Sequence, residues 1–244
     1  MKNIAHKNIE NLTSLWKIAS LPFEGFHTEE KYHFTQVPHS DWPQKLWFTH
    51  KPEKPSLQKA FQLIKDSAGN LSYSHWDDFA SDSYQIIEKA GFVKKSEQIG
   101  MSLKLNQKVK CDNRLVFKKI NNKEEANIWA EIYPLSFGYT IDAEVVDRSK
   151  TVVEFYLAYF EGNPIGTAMV LFSDNVIGIH GVGVIPEMRK KGFAEEIMQF
   201  LINQAIDRNV EYATLQSSAM GKNIYLKMGF SEDFLMTNYT LPVE

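Results

Sequence analysis

Apolar residues along the 244-residue chain switch repeatedly between strand-like and helix-like spacing. Strand-length apolar runs occupy Leu71–Trp76, Leu115–Ile120, Val176–Val184 and Tyr212–Gln216. From about Gly192 onward the spacing becomes helical. Phe193, Ile197, Phe200, Leu201 and Ala205 form one stripe, and Glu195, Glu196, Gln199 and Asn203 fall between them. The run Phe155–Val170 reads as a hairpin, with Glu161, Gly162 and Asn163 in the turn and Gly166 opening the second strand. After Leu115–Ile120, either Asn121 or Asn122 can cap a helix over Glu124–Tyr133, and Glu125 stands at capping-box spacing from Asn122. Pro134 predicts the end of that helix, and Leu135–Ile141 reads as a loop. The alternation of elements predicts a layered α/β unit.

The stretch Val182-Gly-Val-Ile-Pro-Glu-Met-Arg-Lys-Lys-Gly-Phe-Ala194 runs from an apolar strand through Pro186 into a basic turn and then into the amphipathic helix. A helix start leaves its first N–H groups without partners and carries the positive end of the macrodipole, so a bound anion satisfies both. Gly192 and Ala194 keep that backbone approachable. Arg189, Lys190 and Lys191 alone would read as a solvated corner. Their placement between strand and helix points instead to a diphosphate cradle. It is not a Walker loop, and the only G-x-G, Gly181 to Gly183, lacks the third glycine of a dinucleotide fingerprint.

Arg189-Lys-Lys-Gly192-Phe-Ala194 resembles the [QR]-x-x-G-x-[GA] acyl-CoA pyrophosphate motif of the GNAT superfamily of N-acetyltransferases. Phe155–Val170 is similar to the family's hairpin, and Leu215–Gly221 with Asn223-Ile-Tyr-Leu-Lys-Met-Gly-Phe230 resembles its strand, loop and Y-x-K-x-G-F helix end. The resemblance covers roughly residues 114–244, with the three motifs in the family's order. Ala194 replaces the commoner last glycine, Lys190 a frequent glycine, and Ser218 stands where many relatives have asparagine. The resemblance implies an α/β fold with a mixed sheet flanked by helices. It also implies acetyl-CoA as acyl donor, no metal, and direct transfer of an acetyl group to a primary amine of a small molecule or peptide. Backbone of Val182, Gly183 and Val184 is placed along the pantetheine arm, and Arg189, Lys190, Lys191, Gly192, Phe193 and Ala194 around the diphosphate. Ser218 and Tyr225 would lie beside coenzyme A.

Transfer requires an amine without its extra proton and a donor for the departing thiolate. Tyr225 is the candidate donor, a core tyrosine being its other reading. His180 is the only histidine of the second half and titrates in the useful range for a base, yet a histidine in an apolar strand also fits a hydrogen-bonded core residue. Glu154, Asp142, Glu144 and a water chain are rival bases. Phe137 and Tyr139 fall in the region that lines the acceptor pocket in relatives, and fit aromatic core equally well. A different class of function, an acyl-CoA-binding sensor or assembly module without turnover, shares the same cradle.

The first half carries a faded repeat of the second. Ile86-Ile-Glu-Lys-Ala-Gly-Phe92 matches Ile224-Tyr-Leu-Lys-Met-Gly-Phe230, and Met101–Leu105 then aligns with Tyr239–Val243 without a gap. Ile87 replaces Tyr225, and His50-Lys-Pro-Glu-Lys-Pro-Ser-Leu57, with two prolines and no glycine, replaces the basic glycine turn. The expected organisation is two tandem GNAT-like domains: a degenerate one over 1–106, a linker over 107–113 around Cys111, and a catalytic one over 114–244. Trp16, Phe23, Trp42 and Trp47 suit packing between the halves. With 43% hydrophobic and 13% aromatic residues the chain has ample core material. A net charge of −3 argues against a nucleic-acid partner, and no segment reads as a membrane span or signal peptide, so a cytoplasmic location is expected. One cysteine excludes an internal disulfide, and the other histidines lack metal-ligand spacing. The oligomeric state is left open.

Overall fold

A computed structural model describes residues 2–67, 71–77, 79 and 82–242. The first half contains α1 (Lys2–Ser20), β1 (Phe26–Thr28), β2 (Tyr32–Thr35), β3 (Lys45–Phe48), α2 (Lys54–Asp66), β4 (Ser72–Asp77), α3 (Tyr84–Lys89) and β5 (Val93–Lys104). The second contains β6 (Val116–Lys119), α4 (Lys123–Phe137), α5 (Ala143–Ser149), β7 (Glu154–Phe160), β8 (Asn163–Ser173), β9 (Val176–Val184), α6 (Phe193–Asp207), β10 (Tyr212–Ser217), α7 (Lys222–Lys227) and β11 (Ser231–Thr240). The order β3-α2-β4-α3-β5 thus recurs as β9-α6-β10-α7-β11. Val243 of the proposed repeat lies outside the described residues.

All strands join one mixed sheet in the order β1-β2-β3-β4-β11-β5-β10-β9-β8-β7-β6. The two halves exchange their final strands. β11 lies between β4 and β5, and β5 lies between β11 and β10, each pairing antiparallel. The pairing of β5 with β11 carries two bulges, one at Asp233 and one at Lys95, each the third residue past the phenylalanine of its half's Gly-Phe pair. Matching bulges on two paired strands are what a two-fold relation between repeats produces, so the faded repeat is also a geometric one.

The cores follow the exchange. α6 and the faces of β8, β9 and β10 bury one apolar cluster that includes Met101 of β5. α2, α3, β3 and β4 bury another that includes Tyr239 of β11. Met101 and Tyr239 are counterparts in the repeat, and each is sealed in the other half's core. On the opposite face a third cluster joins Trp16, Trp42 and Trp47 of the first half to Trp129, Tyr133 and Phe155 of the second, with Phe23 packed against it. The aromatic residues thus pack where the halves meet. Among the described residues no helix is long and apolar enough to cross a membrane.

Local detail departs from sequence pattern in three places. α4 continues through Pro134 and ends at Gly138, whose φ is 75° and whose N–H donates to Pro134 O at 2.8 Å. Proline removes one intrahelical donor, but its fixed φ suits a helix, so the helix gains a turn that includes Phe137. Gly166 lies inside β8 rather than opening it, because a Cβ there would stand 2.6 Å from Gly183 O on the neighbouring strand. Glu196 is buried on α6 rather than solvated. Its carboxylate accepts from Arg114 N (2.6 Å), Leu115 N (2.8 Å) and Arg114 Nε (2.9 Å), which offsets the cost of burying the charge.

The strand exchange predicts the behaviour of a nicked chain. Cleavage within residues 106–113 should leave two fragments that co-elute in size-exclusion chromatography and separate only in denaturant; separation under native conditions would contradict the topology.

Candidate active site

The site is built where two parallel strands part. β9 and β10 pair only at Val176–Tyr212, Ile177–Ala213 and Gly178–Thr214, after which β9 has no ladder partner on that side. A bulge at Gly181 and Val182, opposite Ala168 of β8, turns the free portion of β9 outward. Gly181 has φ 57°, and a Cβ on it would lie 2.8 Å from Met169 Cε. Val182, Gly183 and Val184 therefore form a strand edge facing a cleft, with no ladder partner on the β10 side.

The loop after β9 reaches α6 through Lys190 and Gly192, both left-handed at φ 61° and 83°. Gly192 is the N-cap of α6 and supplies no side-chain cap. The first intrahelical bond is Glu196 N to Gly192 O, and among the described residues no protein acceptor meets the N–H groups from Lys190 to Glu195. Six successive amides are thus available at the positive end of a fifteen-residue helix. The chemistry of that donor set fits a diphosphate. Arg114 braces it from behind, donating to Lys191 O at 3.0 Å, lying over the Phe193 ring at 4.7 Å and pairing with Glu196. Arg189, Lys190 and Lys191 are all exposed, but Arg189 is tied back to the protein, donating to Val184 O at 3.1 Å and Ser136 O at 3.2 Å. Arg114 carried no local signal in the sequence, because its partners are distant along the chain.

Tyr225 sits on α7 beside Gly221, its ring edge-on to Phe230 at 5.8 Å. Burial pushes its phenol up to about 12, and among the described residues its hydroxyl meets no protein partner. Ser218 shapes the adjoining turn: its Oγ accepts from Gly221 N at 3.3 Å. Phe137 lies over Gly183, since a Cβ on that glycine would be 2.6 Å from the Phe137 ring. Phe137 stacks on Tyr133 at 4.4 Å, and Tyr139 bonds Tyr133 through their hydroxyls at 2.5 Å. Both Phe137 and Tyr139 keep over a third of their surface exposed, while Tyr133 is buried.

His180 fills the gap between the diverging strands. Its Nδ1 lies 3.1 Å from Gln216 Oε1 on β10, and its Nε2 lies 3.2 Å from Asn11 Oδ1 on α1. Asn11 in turn donates to Leu171 O and Ser173 Oγ, and Asn8 to Met101 O and Leu215 O. Burial drives the imidazole down to about 4, with Gln216 opposing the shift. The ring is therefore neutral at pH 7, and because both partner atoms are amide oxygens, only the nitrogen that carries the proton donates. The rival bases have partners: Glu154 is paired with Lys119 and Arg208, Glu144 with Lys123 and Arg148, and Asp142 caps α5 by accepting from Glu144 N.

The first half repeats the cleft and closes the cradle. β3 and β4 pair only at Lys45–Ser72 and Leu46–Tyr73 before parting, around a cavity of ≈ 420 Å³ that includes Phe48, His75 and Trp76. The start of α2, however, is capped by Glu53 in a reciprocal box with Ser56, with proline in its first turn. A carboxylate and a proline there leave few amides for an anion.

Residues 121–230, which hold the parted strands, the cradle and α7, match the family model described as Acetyltransferase (GNAT) family. This segment is a GNAT acetyltransferase domain. Enzymes of the GNAT family use acetyl-CoA as acyl donor, so the domain's class is acyl transfer from that thioester. No curated protein matches the chain. Among solved structures, the chain is similar to a GCN5-related N-acetyltransferase from Kribbella flavida at 15% identity and TM-score 0.68, with 94% of this chain and 96% of that one covered. A putative GNAT-family acetyltransferase from Novosphingobium aromaticivorans aligns at 13% identity and TM-score 0.61, covering 92% and 96%. A tandem GNAT protein from the clavulanic acid biosynthesis pathway aligns at 10% identity and TM-score 0.54, covering 87% and 79%. At these identities the likeness is one of fold, and the fold is the tandem GNAT arrangement.

The His180 network makes stability depend on pH. Its folded value, about 4, lies below the ordinary 6.5, so the unfolded chain binds more protons between those values and stability falls as pH drops through that window. His180→Gln should remove on the order of 2–3 kcal/mol of the fall in unfolding free energy between pH 6.5 and 4; denaturant titrations at several pH values check this.

Proposed function

We propose that the chain is an acetyl-CoA-dependent N-acyltransferase moving acetyl to a primary amine of a small molecule or peptide. Residues 114–244 act as the catalytic half, 107–113 as linker and 1–106 as a degenerate half. The observation that carries this reading is the set of amides from Lys190 to Glu195 without protein acceptors among the described residues, opening beside the free edge of β9. In this reading Lys190, Lys191, Gly192, Phe193 and Ala194 hold the diphosphate. Arg189 sets the loop against Val184, and the backbone of Val182, Gly183 and Val184 aligns the pantetheine arm, with Ser218 beside it. Acetyl-CoA supplies an activated acyl group as a thioester.

The remaining chemistry is proton management. The acceptor nitrogen bonds the acyl carbon, the carbon–sulfur bond breaks, and the proton lost by the amine ends on the thiol. A phenol near 12 beside a thiol near ~8.5 stays protonated, so Tyr225 stabilises the departing sulfur chiefly as a hydrogen-bond donor. A neutral His180 near 4 is too weak a base to hold an ammonium's proton for long, which favours water as the carrier with His180 holding the cleft in shape. Phe137 and Tyr139 offer the acceptor an apolar wall. A non-catalytic acyl-CoA sensor remains the second reading, because the cradle alone serves either.

Thiol release from acetyl-CoA over a panel of metabolite and peptide amines separates them. Sustained release with at least one amine is expected, and tight binding without amine-dependent release supports the sensor. With the amine so found, Tyr225→Phe should lower kcat by roughly 10- to 100-fold with acetyl-CoA affinity nearly unchanged, the scale of losing one aimed donor. Gly192→Ala forces a side chain into a left-handed conformation and against Arg114. Calorimetry should show acetyl-CoA binding weakened roughly tenfold, the equivalent of a ~1–2 kcal/mol penalty.

A further inference from the structure

The second-half segment Ser136–Asp142 is held from two sides, and one hold comes from the degenerate half. Asp41 Oδ2 accepts from Thr140 N at 2.8 Å and from Thr140 Oγ1 at 2.7 Å, while Asp41 N donates to Thr140 O at 3.2 Å. Beside this clamp, Asp142 N donates to Ser40 Oγ at 3.1 Å. The loop that presents Asp41 is itself fixed, because Gln44 Nε2 donates to Val37 O at 2.6 Å and Ser40 O at 2.8 Å, and Ser40 Oγ donates to Trp42 O at 2.6 Å. Ser40, Trp42 and Gln44 are buried. At the other end, Arg189 of the cradle loop donates to Ser136 O.

Between the two holds lie Phe137, Gly138 and Tyr139. Phe137 covers Gly183 on the free edge of β9, and Tyr139 is joined to Tyr133. Gly138 sits between them at φ 75°, a position with no neighbour within 4 Å of a would-be Cβ, so nothing packs the turn in place from its own side. The two partly exposed rings are held by Tyr133 on one side and, through the residues next to them, by these two grips on the other. We infer that Asp41 is a positioning residue for the acceptor: it fixes Thr140, and through it the Phe137–Tyr139 wall, against the acyl-binding edge of β9. The inference rests on the acyltransfer reading and gives the first half a task in it. That half does not bind the donor; it sets the acceptor wall. Two hydrogen bonds to one carboxylate oxygen and a returning backbone bond are directional, which suits register more than bulk stability. The Thr140 amide and hydroxyl hold the Asp41 carboxyl below its ordinary range, in keeping with a carboxylate that stays charged near neutrality.

The test uses the full chain with Asp41→Asn, Thr140→Val and the double variant. Hydrogen exchange of the peptide covering 136–142 is measured with and without acetyl-CoA, alongside acetyl-CoA affinity by calorimetry and KM for the amine selected in the panel. Asp41→Asn should speed exchange in that peptide, raise the amine KM roughly tenfold, the scale of a lost charged hydrogen bond, and move acetyl-CoA affinity less than about twofold. The double variant should be no worse than the poorer single one, as expected when both remove one interaction. Unchanged exchange overturns the inference, and so does a parallel loss of donor and acceptor binding, which is the mark of a merely structural role. Should the unaltered protein turn over no amine, the acyltransfer reading fails and the acceptor role with it, whereas faster exchange in Asp41→Asn would still establish the clamp.

Discussion

The antiparallel pairing of β5 with β11 is the constraint on which the molecule depends. It joins the halves through main-chain hydrogen bonds and sends Met101 and Tyr239 each into the other half's core. Near one end of that pairing Gly100 leaves room for the Phe234 ring, which a Cβ would meet at 2.2 Å. Without this exchange β10 would present an open edge next to the cleft, and the separation of β9 from β10 would lack a fixed far wall. The open part of the sheet is possible because the closed part is shared.

The cleft is built from backbone, and side chains keep it in shape. The amides from Lys190 to Glu195 bear no side-chain identity, yet they are aimed by Arg114 and Glu196, which lie behind the loop. His180, Gln216 and Asn11 replace ladder bonds where the strands diverge. The N-terminal helix α1 contributes Asn8 and Asn11 to that packing, so the first half supports the floor of the cleft between β9 and β10 as well as contacting the Ser136–Asp142 segment. Buried polar groups of this kind add most where they are paired, as Asn8 and Asn11 are with the carbonyls of Met101, Leu215 and Leu171.

What the sequence disclosed was local. The hairpin turn at Glu161 and Gly162, with φ 48° and 81°, the uncapped glycine start of α6 and the two Gly-Phe pairs were all legible, because each depends on residues a few positions apart. The exchange of β5 and β11 was not, since an exchanged and an unexchanged strand have the same apolar pattern; only the partner differs. Glu196 looked solvated because its neighbours are, and its partner Arg114 lies 82 positions away. Pro134 looked like a stop because proline weakens a helix interior, but Gly138 and the packing of Phe137 over Gly183 sustain one more turn. Candidate site residues set by backbone motif could be proposed from the chain, whereas Asn11, Gln216, Ser136 and Asp41 come to the site only through tertiary folding.

Two clefts related by a repeat do not make two equivalent donor sites. At the start of α2 the Glu53 carboxylate occupies the place that α6 leaves empty at Gly192, and Lys31 neutralises it from outside. Among the described residues of the repeat, the open helix start is therefore the one in the second half. A chain built twice is thereby made asymmetric: the repeat keeps its order of strands and helices, while one glutamate and one proline change the polarity of one cleft.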